Sequence, residues 1–149
     1  MKQIILLVFI FSLTSDVFAQ PISLQTDRKQ FDKLTKSYAI EILKDTTSDK
    51  SVHDKIKVPN YKYMGITWIM YVVFNSENKI NKITVRTQDD VPIEEYRSFL
   101  SKYQKQYGAS TRQKFSYVDF WRLDEYKLSL TFYDPEKSFG TLYITWENY

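Results

Sequence analysis

The sequence predicts an α+β fold: an antiparallel sheet of about five or six strands, with two helices packed on one face as a two-layer structure. Three features predict it. Residues 66–74 are almost all β-branched or aromatic, and Asn75-Ser76-Glu77-Asn78 supplies a turn after them. Between Pro92 and Gly108, apolar residues recur at helical spacing. The last forty residues alternate apolar and polar side chains across two further turns.

The N-terminus reads as a secretory signal over residues 1–19. Lys2 is its positive region, Ile4 to Phe11 its apolar run, and Val17-Phe18-Ala19 its small-residue cleavage site. The run is shorter than the ~20 apolar residues a membrane span needs. No stable membrane insertion is therefore expected after cleavage, and the expected location is the periplasm or the exterior. Residues 20–149 then form one mature domain. Its composition, rich in Lys, Ile, Asn and Tyr, has a bacterial look. With no cysteine in the chain, neither a lipid-modified cysteine nor a disulfide is available, so the core must hold itself together.

Along the mature chain, Thr26 or Asp27 can cap a helix carrying Phe31, Leu34 and Tyr38. Residues 45–60 are polar, end in Pro59-Asn60 and read as the longest loop, with room for a short strand near Lys55 to Val58. The hairpin 66–74 with 79–87 is the clearest element. It places Trp68, Met70, Val72 and Phe74 on one face and Ile69, Tyr71 and Val73 on the other. That second face is unusually apolar for one in water, as expected of a sheet face reserved for a partner.

The second helix begins at Pro92, carries Glu94 and Glu95 in its first turn, and stops at Gly108. Ile93, Tyr96, Leu100, Tyr103 and Tyr107 line one stripe, with Phe99 beside it. Three strands follow, around 115–123, 126–132 and 142–146. The two halves suggest a weak α-β-β-β duplication, with Val73-Phe74-Asn75-Ser76-Glu77 set against Phe132-Tyr133-Asp134-Pro135-Glu136.

Familiar catalytic and cofactor signatures are missing. His53 is the only histidine, and it sits in the polar stretch as a solvated residue. Neither HExxH nor Gly-x-Ser-x-Gly occurs, and three glycines cannot build a phosphate-binding loop. No metal and no cofactor are expected. Asp119 alternates with Tyr117 and Trp121, company in which burial would raise its pKa and suit it to act as a general acid. Beside Arg122 or a lysine at a sheet edge it would instead be an ordinary ion-pair partner.

The net charge of +3 carries no basic block, so nucleic-acid binding is not expected. Aromatics make up 17% of the chain. Trp68 and Trp146 are expected in the core. Alternation offers Tyr71, Tyr117, Tyr133 and Tyr143 to an open face, beside Ile69 and Val73. Flat amphipathic rings on such a face suit contact with another protein. The expected function is a non-enzymatic protein-binding module of inhibitor, immunity or envelope-accessory type. A glycan or peptide ligand on the same face is the alternative, and a carboxylate-dependent hydrolase comes after it.

Overall fold

A computed structural model describes residues 22–46, 52–114, 116–133 and 138–149. The expected signal segment and the turn at 134–137 lie outside the described residues. The class is α+β, dominated by antiparallel sheet. The element order is α1 (Arg28–Leu34), β1 (Glu41–Thr46), β2 (Val52–Tyr63), β3 (Ile66–Phe74), β4 (Ile80–Thr87), β5 (Val91–Pro92), α2 (Ile93–Tyr107), β6 (Thr111–Arg112), β7 (Val118–Arg122), β8 (Tyr126–Tyr133) and β9 (Phe139–Asn148).

Among the described residues nine strands stand where about five or six were expected, and β2 is the largest difference. Residues 52–63 form a full strand paired with both β1 and β3, so most of the expected long loop is sheet. His53 pairs with Asp45 there and is not in a loop. The register slips between Val58 and Tyr61, and Asn60 takes a positive φ of 56°. Pro59 and Asn60 are thus a β-bulge, a place where a strand tolerates proline because the ladder is already interrupted. The expected first helix is also shorter than its spacing suggested, with residues 35–38 in a turn. Asp27 does cap α1, accepting from the Gln30 amide at 2.8 Å, but the helix ends at Leu34 and Tyr38 lies beyond it.

The sheet order is β1-β2-β3-β4-β9-β8-β7-β6, with β5 paired to the outer part of β9. Each half is a helix followed by a four-stranded meander, and the last strands of the two meanders pair antiparallel at the centre. Burial aligns Phe74 with Phe132, one residue away from the correspondence the sequence suggested.

Alternation fixes the buried face. Ile56, Val58, Trp68, Met70, Val72, Ile83, Val85, Leu128, Leu130, Leu142 and Ile144 are all buried. Both helices reach this same face. Phe31 of α1 stands edge-on to Phe74 at 5.4 Å, and Phe99 of α2 edge-on to Trp68 at 5.8 Å. Burial of each such side chain contributes about 1.5–3 kcal/mol. Tyrosine and tryptophan also need their polar ends satisfied. Trp68 Nε1 donates to the Tyr63 carbonyl at 2.8 Å, and Trp121 Nε1 to the Gly108 carbonyl at 2.9 Å. α2 starts one residue later than expected, with Pro92 as its N-cap, and ends at Gly108 with φ 83°.

Candidate binding surface

The face opposite the helices is built by the other half of each alternation. Its rows follow the strand register. One runs Lys57, Tyr71, Thr84, Thr145, Ser129 and Phe120 across five strand pairings. The next runs Ile69, Arg86, Tyr143, Thr131 and Val118. On the other side, Lys55, Val73, Lys82, Glu147, Lys127 and Arg122 form a third. None of these residues is in the buried core.

Five of the six residues expected at the site share this face. Ile69, Tyr71 and Val73 stand together on β3 and are half-buried. Tyr143 of β9 and Tyr133 of β8 meet edge-on at 5.1 Å, with Tyr133 61% exposed. Tyr117 does not join them. It packs edge-on against Tyr96 of α2 at 5.6 Å and against Phe132 at 6.4 Å, on the helix side. The cause is parity, because Tyr117 lies two residues before buried Asp119 and four before buried Trp121.

Sequence reasoning missed the cations. Lys55, Lys57, Lys82, Arg86, Arg122 and Lys127 converge on the face, against Glu41 and Glu147. Two pairs are internal: Lys57 with Glu41 at 3.1 Å and Lys82 with Glu147 at 3.0 Å. Lys55 Nζ lies 5.0 Å from the Tyr71 ring centre, and Lys127 Nζ lies 5.3 Å from that of Phe120. These residues are scattered along the chain, so no local run announces them. The signal available was strand alternation, which only a correct reading of β2 turns into a patch.

Asp119 has a structural environment. It is 2% exposed and lies on the helix side of β7. Ser110 Oγ donates to Oδ1 at 2.7 Å, and the Tyr96 hydroxyl donates to Oδ2. Arg112 donates to Oδ2 through Nη2 at 2.8 Å and Nε at 3.1 Å. Burial alone would raise the carboxyl pKa, but the hydrogen bonds from Arg112, Tyr96 and Ser110 outweigh it and hold the group below its ordinary value. The expected raised pKa is therefore corrected, and so is the expected partner. Arg122 lies on the other face, over the Phe120 ring. An ionised, fully bonded carboxylate has no proton to give as a general acid.

Among the described residues, no group of three or more His, Cys, Asp or Glu is placed to hold a metal. No described helix is long and apolar enough to cross a membrane. No protein family, curated protein or solved structure matches the chain.

Proposed function

We propose that this chain is an exported, non-enzymatic binding module whose open sheet face engages another protein through an acidic surface. In this reading the molecule is two-layered, built from two related helix-plus-meander units, with its helices serving as backing for the presented sheet. The observation that carries the reading is the face itself. Ile69, Tyr71, Val73, Tyr133 and Tyr143 lie half-buried or exposed among Lys55, Lys57, Lys82, Arg86, Arg122 and Lys127, with Glu41 and Glu147. Rigid aromatic anchors ringed by charge are what protein interfaces use for affinity and for steering, respectively. The module works without cofactor or nucleic acid in this reading. After removal of residues 1–19 it acts in the periplasm or outside the cell, without inserting in a membrane.

The test is affinity capture from envelope extract and culture medium of the source organism, with wild type beside Tyr71→Ala/Tyr143→Ala. We expect one acidic protein to be recovered by wild type and lost in the double variant. Its affinity for wild type should fall about tenfold or more between low and physiological salt, as for steered charged partners. Equal recovery by both baits, or retention of a glycan or an oligonucleotide in its place, overturns the proposal.

A further inference from the structure

On the helix side a separate cavity of about 240 Å³ opens between residues 23–25, the C-terminal half of α2 and the turn joining β7 to β8. Its walls include Tyr63, Tyr103, Tyr107, Tyr126 and Trp146, and among the described residues Glu125 is the only charged side chain lining it. The volume falls just under the range of about 300–1,000 Å³ that drug-sized ligands occupy, so a fitting guest is small.

Two features show what kind of guest. Five of its lining residues are tyrosine or tryptophan, and the Tyr103 hydroxyl is buried against that of Tyr63, out of a guest's reach. The charge pattern sets the sign of that guest. Glu125 accepts from Gln25 Nε2 at 3.3 Å and forms no ion pair among the described residues. An anion would meet a carboxylate with no cation to offset it. A neutral sugar would face walls that are mostly ring, with its polar partners confined to the rim.

A cation gains from both: aromatic rings carry a negative quadrupole on their faces, and Glu125 supplies the counter-charge. Burial raises the pKa of Tyr63, Tyr103 and Tyr107, so these rings stay neutral phenols across the physiological range.

We propose that this cavity binds a small primary alkylammonium group, held by the tyrosine and tryptophan walls and Glu125. The same chemistry could arrive as a free amine or as a lysine side chain of a peptide. Calorimetric titration of the purified chain separates the possibilities, with n-butylammonium, its neutral isostere 1-butanol, blocked lysine and glucose as probes. We expect saturable one-to-one binding of n-butylammonium, with 1-butanol about tenfold weaker. Glu125→Gln should weaken the cation about threefold and leave 1-butanol unchanged. Blocked lysine binding as tightly as n-butylammonium assigns a peptide source, and weaker binding assigns a free amine. Glu125 is an exposed turn residue, and an unchanged thermal unfolding curve would show that its variant folds. The proposal fails if 1-butanol binds as tightly as the amine, if Glu125→Gln has no effect, or if glucose binds and the amine does not. It also fails if no amine binds up to about 50 mM.

Discussion

At the scale of single residues, the clearest case is Asp119, whose surroundings decide between catalyst and strut. Its neighbours were partly legible, since alternation placed it with Tyr117 and Trp121 on one face. Arg112 was not, because it comes from the two-residue strand β6, too short to leave a periodic trace. The result is a buried carboxylate bonded to a guanidinium that is itself half exposed. Removing one partner of a hydrogen-bonded charge pair strands the other, so Asp119→Asn should cost about 2–3 kcal/mol at pH 7. Exposure of Arg112 keeps the figure below that of a fully buried pair.

The pH dependence has a definite sign. The folded-state pKa is depressed, so the group's stabilisation is complete above its unfolded value near 3.9 and is lost as pH falls through the lower folded value. Urea unfolding of wild type and Asp119→Asn should therefore differ most at neutral pH and converge below about pH 4. A constant difference down to pH 2.5 would mean that the carboxylate charge is not what holds α2 to β7.

At the scale of elements, β3, β4 and α2 were legible because their periodicity is unbroken and their ends carry turn or capping residues. β2 was not, and the bulge explains why. Ile56 and Val58 keep period two, then Pro59 and Asn60 insert, and Tyr61 and Tyr63 resume on the same buried face. A reading based on strict alternation sees the phase break and reports a loop. The same shift conceals Lys55 and Lys57 as members of a sheet face, so two of the six cations named on the patch were lost with the strand.

The bulge depends on a left-handed residue at Asn60. Asparagine tolerates that conformation, glycine adopts it freely, and a β-branched residue is strained in it. Asn60→Val should thus lower stability by about 1–2 kcal/mol, while Asn60→Gly stays within about 0.5 kcal/mol of wild type. Chemical denaturation of the two variants checks this. Equal losses in both would point to the Asn60 side chain and away from its backbone.

At the scale of the whole molecule, the two meanders share one core. β4 and β9 form the central ladder, from Lys82 opposite Glu147 to Arg86 opposite Tyr143. Phe99, in the second half, packs on Trp68 of the first, and Tyr63 packs on Trp146 at 6.3 Å. The Leu142 amide donates to Thr87 Oγ1 across the same seam. The weak internal repeat in the sequence hinted at two units but could not show this. Burial in either half depends on side chains supplied by the other, and that dependence appears only when the strands are in place.

Such interlocking favours one cooperative transition over stepwise loss of halves. It also matters for the proposed function, because a sheet face is a rigid platform only if its central seam does not open below the global transition. The measurement is urea unfolding of two variants, Trp121→Phe/Trp146→Phe reporting from Trp68 and Trp68→Phe/Trp146→Phe reporting from Trp121. In each background the fluorescence and far-UV dichroism midpoints should coincide. Adding Ile144→Ala at the fully buried seam should destabilise both backgrounds alike, by about 2–5 kcal/mol. If Ile144→Ala shifts the Trp121 signal and spares that of Trp68, the halves unfold independently, and the row from Lys57 to Phe120 is two surfaces instead of one.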